Sequence, residues 1–196
     1  MSYSLRLSIV ILFFWGCTNK QSTYKSIVIT NPNDLKAENI DGQMFDWKST
    51  TQNVATAFIF ISPECPLCEN YTVSFKALKN EFEQKGIQLI GVVPGGYYST
   101  DEVKVFLKKY KLDMDILMDT SYTFCSFFKA KVTPEVFLVD QKGETIYEGK
   151  IDNWMYALGI KKRVPTEFYL KNAIEATLNN TEILIKKTEA VGCIIE

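Results

Sequence analysis

Short blocks of apolar residues alternate with helical patterns along the chain, and their order predicts a mixed α/β fold. The continuous apolar run 55–61 is short and rich in aromatic residues, which favours a strand buried on both faces. After it, apolar residues recur every three or four positions between Leu67 and Phe82, which is typical of an amphipathic helix. The run 87–93 predicts a second buried strand.

The second half of the chain continues the same alternation. Ser99 and Glu102 have the spacing of a capping box, which predicts the start of another helix. The other predicted elements are a short strand at 44–47, a strand at 114–118, a short helix at 121–129, a hairpin of 135–140 with 144–149, a loop at 153–165, a helix at 166–178 and a strand-like piece at 182–186. This order predicts a three-layer α/β sandwich around a central mixed sheet.

The first seventeen residues differ from everything that follows. Arg6 precedes the mostly apolar run 7–15, which is far shorter than the ~20 residues needed to cross a bilayer and is typical of a secretory signal. The run ends at Gly16-Cys17 and resembles a bacterial lipoprotein signal, which implies lipidation of Cys17 and attachment to a membrane surface. An ordinary cleaved signal or a short hydrophobic anchor is the alternative.

These features define the expected organisation of the chain. We expect a signal at 1–17, a linker at 18–34 and one globular domain at 35–196. Either form of the signal exports the domain, so the predicted location is the cell envelope, on the periplasmic side of a bacterial membrane. Disulfides persist in such a compartment.

Composition and charge exclude several classes of function. With 46% hydrophobic and 23% charged residues, the chain of 196 residues can form a real core. The 22 basic and 23 acidic residues leave a net charge of -1, so no electrostatic footprint for nucleic acid is present. The sequence contains no histidine, which excludes Ser-His-Asp and Cys-His catalysis and metal sites built on imidazole.

Five cysteines carry the candidate chemistry: Cys17, Cys65, Cys68, Cys125 and Cys193. Cys65 directly follows the predicted strand 55–61 and opens the helix after it. Because a thiolate there faces the positive end of the helix dipole, its pKa should be lowered. Cys68 lies one turn further on, so we expect Cys65 to be the nucleophile and Cys68 to resolve the mixed disulfide.

Other roles for the cysteines remain open at this level. The pair could be an inert disulfide, or Cys65 and Cys68 could bind a metal together with Cys125 and Cys193, although those two lack the paired short spacing of structural zinc ligands. Cys125 lies among phenylalanines, which favours core packing, and Cys193 could be a small buried hydrophobe.

Two segments together resemble a known family. Residues 62–68 around the cysteine pair, followed downstream by residues 132–140, resemble the thioredoxin superfamily and in particular its redoxin branch, the alkyl hydroperoxide reductase and thiol-specific antioxidant proteins. The similarity spans residues 35–180. It implies a thioredoxin-like fold, a cis peptide bond between Thr133 and Pro134, and a place for both residues beside the redox pair in the substrate groove.

The chain also departs from this family. Glu64 replaces the tryptophan before the motif, and Ile59 occupies the position of the buried acid that assists the second cysteine of thioredoxin. Glu64 is a possible substitute for that acid. Ser62 fits the hydroxyl position of peroxidatic redoxins, but Phe58 stands where their proline would be.

The leading hypothesis is a thiol–disulfide oxidoreductase that acts on protein thiols and disulfides with an unknown electron donor and no cofactor. A thiol peroxidase is the first alternative, in which Cys65 is oxidised to a sulfenic acid and resolved by Cys68, Cys125 or Cys193. A non-catalytic copper or other metal carrier and an interaction protein with a vestigial site are the others. Gly192-Cys193 resembles the C-terminal end of a subset of redoxins, and no mechanism follows from that resemblance.

Overall fold

The computed structural model describes residues 29–196. The predicted signal, Cys17 and residues 18–28 of the predicted linker lie outside the described residues. The elements, numbered in chain order, are β1 (Glu38–Asn39), β2 (Ala55–Phe60), α1 (Pro66–Phe82), β3 (Ile87–Pro94), α2 (Thr100–Tyr110), β4 (Asp115–Asp119), α3 (Thr123–Phe128), β5 (Val132–Thr133), β6 (Glu135–Asp140), β7 (Thr145–Gly149), β8 (Met155–Ala157), β9 (Ile160–Lys161), α4 (Tyr169–Leu178) and β10 (Cys193–Ile194). Within residues 29–196, every helix is too short or too polar to span a bilayer.

Within residues 29–196, six strands form one mixed sheet in the order β1-β4-β3-β2-β6-β7. The central strands β2, β3 and β4 are parallel, whereas β6, β7 and β1 join antiparallel to their neighbours. Helices cover both faces, so the predicted three-layer sandwich with a central mixed sheet is confirmed. The strand β5 lies outside this sheet and pairs only with β10 among the described strands.

The sheet separates two hydrophobic cores, and β2 supplies side chains to both. All six of its residues are buried, as the continuous apolar run predicts. Ala57 and Ile59 belong to the core beneath α1, α2 and α4, whereas Phe58 and Phe60 belong to the core beneath α3. This alternation follows from the two-residue period of a strand. The second core is unusually aromatic: Phe58 stacks on Trp47 with ring centroids 5.5 Å apart.

The helix starts follow from their capping residues. Ser99 caps α2 in a complete capping box, because its side chain accepts from the Glu102 N–H and the Glu102 carboxylate accepts from the Ser99 N–H. At the start of α1, Cys65 is the N-cap residue and Pro66 occupies the first helical position, where its missing N–H costs nothing. The capping box and the helix after the cysteine pair are therefore confirmed.

Three predicted elements are wrong: the strand at 44–47, the loop at 153–165 and the strand-like piece at 182–186. Residues 44–47 do not form a strand: the chain turns into a 3-10 helix, Trp47–Gln52, because the Asp46 side chain accepts from the Lys48 N–H and caps it. The predicted loop at 153–165 contains the small hairpin of β8 and β9.

The strand-like piece at 182–186 is not a strand either. The chain comes alongside the outer strand β7 only at the end of this piece and just after it, where the Glu148 N–H donates to the Lys186 carbonyl and the Thr188 N–H to the Glu148 carbonyl. The Thr188 hydroxyl also accepts from the Lys150 N–H over 2.8 Å. The approach is close enough that a Cβ on Gly149 would overlap the Thr188 main chain. The chain is thus fastened to the sheet edge at residues 186–188.

Candidate active site

The cysteine pair lies where the central strand β2 meets the helix α1. The Cys65 N–H donates to the Ser62 carbonyl over 3.1 Å, which places the Cys65 thiol at the N-terminus of α1. Cys68 lies one turn into the helix and is completely buried, and its sulfur accepts from the Ser62 N–H over 3.4 Å. The turn between strand and helix thus orients both thiols.

The second wall of the site is the strand β5. Its Thr133 is joined to Pro134 by a cis peptide bond, as the family resemblance implies. The Cys65 sulfur lies 3.1 Å from the Thr133 carbonyl oxygen, to which the thiol donates when it is protonated. Cys65, Cys68 and Thr133 therefore come together from positions nearly seventy residues apart, although the spacing of the motif alone does not specify this contact.

Hydrogen bonds and burial shift the pKa values of the two thiols in opposite directions. The pKa of Cys65 is well below its ordinary value, first because the Cys68 side chain hydrogen-bonds to its sulfur. Cys193, the Cys68 N–H and the Thr133 side chain lower it further, while burial opposes the shift. Burial raises the pKa of Cys68, and the Cys65 thiolate beside it raises it further. Cys65 is thus the thiolate of the pair and Cys68 keeps its proton.

We predict that the Cys65 thiolate persists as the pH falls. A lowered pKa means that ionisation is complete at neutral pH, so the ultraviolet thiolate absorbance of the reduced protein should stay nearly constant between about pH 8 and 6. Cys68 and Cys193 do not contribute, because their pKa values are raised. Cys65→Ser should remove the signal, and an absorbance that is lost near about pH 8.5, as for a free thiol, would contradict the assignment.

Cys193 is the residue whose place the sequence did not reveal. It lies on β10 directly opposite Thr133, because β10 pairs antiparallel with β5. It lines the same cleft as Cys65, and its pKa is raised, first by burial and then by Cys65. Gly192 is the one signal that sequence reasoning could have used: a Cβ at this position would overlap the Thr133 carbonyl, so the close approach requires glycine.

Of the remaining accessory candidates, Ser62 and Glu64 lie beside the cysteine pair, whereas Cys125 does not. The Ser62 hydroxyl donates to the Tyr98 hydroxyl over 3.0 Å, and Glu64 is exposed on the rim of a cleft of about 520 Å³ that also contains Cys65 and Cys193. The pKa shifts of the two thiols come from other groups than Glu64.

Cys125 lies in the aromatic core on the other side of the sheet, away from the cysteine pair. It is buried among Phe124 and Phe128, and burial followed by the Asp119 carboxylate raises its pKa. Such a thiol is inert. Across residues 29–196, no group of three or more cysteine or acidic side chains is arranged to hold a metal ion, so the four-cysteine site considered from the sequence has no geometric support.

Solved structures share this architecture at low sequence identity. An uncharacterized conserved protein from Geobacillus kaustophilus is 18% identical with a TM-score of 0.73, over 87% of this chain and 93% of that one. A hypothetical protein from Sinorhizobium meliloti is 19% identical with a TM-score of 0.74, over 85% and 92%. A secreted Mycobacterium tuberculosis disulfide oxidoreductase is 15% identical with a TM-score of 0.52, over 74% and 95%. No curated protein matches the sequence significantly.

The family assignment comes from the sequence itself. The profile of the AhpC/TSA family matches residues 30–147, more than half of the chain. The match includes the cysteine pair, Thr133 and Pro134, and it agrees with the thioredoxin-like sandwich of the structure. The expected redoxin domain and its class, a thioredoxin-like oxidoreductase, are thereby confirmed. The chain belongs to the AhpC/TSA family.

Proposed function

We propose that this protein exchanges thiols and disulfides with other proteins, with Cys65 as the nucleophile and Cys68 as the resolving cysteine. The observation that carries the proposal is the placement of two thiols one helical turn apart, with Cys65 at the start of α1 against the Thr133 carbonyl and Cys68 buried behind it. The opposite directions of their pKa shifts agree with this placement. A thiolate at neutral pH is the attacking form, and a buried neighbour that keeps its proton is held back until the first step is complete.

The reaction follows from this asymmetry. The Cys65 thiolate attacks one sulfur of a substrate disulfide, a Cys65–substrate bond forms, and the other substrate sulfur leaves as a thiolate that takes up a proton. Cys68 then loses its proton and attacks Cys65, so that a Cys65–Cys68 disulfide forms and the substrate leaves as a dithiol. The reduction of substrate and the oxidation of the pair balance, and every step is reversible. An external thiol donor then reduces the Cys65–Cys68 disulfide back to two thiols.

Thr133 and Pro134 would line the groove for the substrate chain. Thr133 is almost completely buried, yet its carbonyl reaches the Cys65 sulfur. A peptide that extends along β5 would bring its own sulfur to this carbonyl, and main-chain pairing of this kind tolerates varied substrate sequences. This supports protein substrates rather than one small molecule.

We place this activity in the cell envelope, with the protein attached to the membrane surface by lipidated Cys17, residues 1–17 as the signal and residues 18–34 as a linker. The apolar run 7–15 and Gly16-Cys17 support the signal. The similarity in fold to a secreted Mycobacterium tuberculosis disulfide oxidoreductase is compatible with an exported enzyme.

The proposal is tested by thiol trapping in glutathione redox buffers of graded potential, followed by mass spectrometry. We expect Cys65 and Cys68 to convert together and reversibly between dithiol and disulfide, while Cys125 stays reduced because it is buried in the other core. The midpoint would show whether the pair works as a reductant or an oxidant. Rapid sulfenic acid at Cys65 after peroxide, without exchange in the buffers, would instead support the peroxidase alternative.

A further inference from the structure

The residues after Thr188 return to the active site and end against it. Residues 191–196, which we call the Cys193 segment, pair through β10 with β5. Beyond the pair, the Ile195 N–H donates to the Lys131 carbonyl over 2.9 Å, and the Tyr122 hydroxyl donates to the main-chain oxygen of Glu196 over 2.7 Å. The segment therefore continues the hydrogen bonding of a strand along the residues that precede Pro134.

This position is the one proposed above for a substrate chain. Cys65 is only 2% exposed, although the N-terminus of a helix beside a cleft would ordinarily leave a thiol open to solvent. The Cys193 segment supplies the covering wall, since Cys193, Ile194 and Ile195 line the cleft together with Cys65. The buried Gly192 packs directly on the Thr133 main chain. An external disulfide can reach Cys65 only after the segment moves or exchanges with it.

The segment also presents a sulfur to the nucleophile. Cys193 lies opposite Thr133, the residue whose carbonyl contacts the Cys65 thiol. Both cysteines also line the same cleft, so the two thiols share one open space beside Thr133. Resting on the proposed function, we propose that Cys193 is a third redox residue: the segment acts as a built-in substrate whose cysteine forms a disulfide with Cys65.

The exchange needs no further oxidant. When the pair is oxidised, Cys193 gives up its proton and its sulfur attacks the Cys65 sulfur. The Cys65–Cys193 bond forms, the Cys65–Cys68 bond breaks, and Cys68 leaves with the electron pair and takes up a proton. Cys193 is less buried than Cys68, so an external thiol can attack it and release Cys65. The oxidising equivalent thus moves from a buried disulfide to a more accessible one, and the steps also run in reverse.

Removal of the resolving cysteine tests the proposal directly. The Cys68→Ser protein, treated with oxidised glutathione and mapped without reduction, should accumulate peptides linked by Cys65–Cys193. Adding Cys125→Ser should leave this link unchanged, because Cys125 lies in the other core. Adding Cys193→Ser should replace it with glutathione bound to Cys65. Glutathione on Cys65 of Cys68→Ser itself, with Cys193 still a free thiol, would overturn the proposal.

A second pair of variants leaves all the cysteines in place. Gly192→Ala should push the segment off Thr133, because the added Cβ overlaps the main chain, and should raise the rate of Cys65 alkylation by about tenfold or more. Gly96→Ala is the matched control, since a Cβ there meets nothing within 4 Å. Equal alkylation rates in both variants would show that the segment does not cover Cys65 and would overturn its role.

The proposed function and the role of Cys193 can fail separately. If the wild-type protein exchanges the Cys65–Cys68 disulfide with glutathione but Cys68→Ser never forms the Cys65–Cys193 link, the third redox residue is wrong and the proposed function stands. If the wild-type pair does not exchange at all, the proposed function is wrong, whatever link the variant forms.

Discussion

Replacement of Cys65 by serine is expected to lower the rate of exchange with a protein disulfide by at least about a thousandfold, because a serine hydroxyl stays protonated where the Cys65 thiol is ionised. Cys68 cannot take over, since it is completely buried and its pKa is raised. The measurement is the turbidity that follows reduction of insulin, with dithiothreitol as the electron source. The far-ultraviolet circular dichroism of the variant should match the wild type.

Cys125→Ser is the matched control for this loss. Cys125 is also a buried cysteine, but it lies in the aromatic core across the sheet from the site. The substitution should leave the insulin reduction rate within about twofold of the wild type and change only the stability, since the hydroxyl is buried beside the Asp119 carboxylate, across the sheet from the site. Full activity of Cys65→Ser, or an equal loss in both variants, would contradict the assignment of the nucleophile.

The largest effect on folding is expected from Phe58→Ala. Phe58 is completely buried on the central strand β2, stacked on Trp47 and close to Phe124 and Phe128. Removing its ring leaves a cavity that neighbouring rings on several elements cannot all fill, so the free energy of unfolding should fall by about 3–5 kcal/mol. Urea unfolding followed by tryptophan fluorescence measures this loss, and Trp47 is a direct reporter.

Val105→Ala serves as the comparison for this loss. Val105 lies on α2 with two thirds of its surface exposed, so the same kind of truncation removes little buried area. Its effect should stay within about 0.5 kcal/mol. A loss for Phe58→Ala no larger than this would mean that the aromatic core contributes little to stability.

Local sequence patterns were sufficient to predict the central strand and the helix that follows it. The strand at 55–61 and the helix from Leu67 to Phe82 were predictable because their periodicity reports burial on one or both faces. The cysteine pair could be named as a candidate site because both residues belong to a single strand–turn–helix unit. The contact between Cys65 and Thr133 was implied only by the family resemblance.

The pattern of apolar and polar residues could not predict contacts between short elements that are far apart in the sequence. The strands β5 and β10 have two residues each, which is too short for any period to show, and their pairing joins positions about sixty residues apart. Trp47 begins a helical turn rather than ending a strand, because a single capping residue, Asp46, decides the local backbone there. Cys193 could therefore be named as an accessory candidate, whereas its place opposite Thr133 could not be predicted.

The attachment of Thr188 to the outer strand β7 limits how far the Cys193 segment can travel. Only residues 189–191 separate that attachment from Gly192, and so short a piece of chain reaches about 10–14 Å when extended. A released Cys193 therefore stays near Cys65 at an effective concentration on the order of millimolar. A foreign disulfide has to compete with this tethered neighbour, and weakly binding chains will lose that competition.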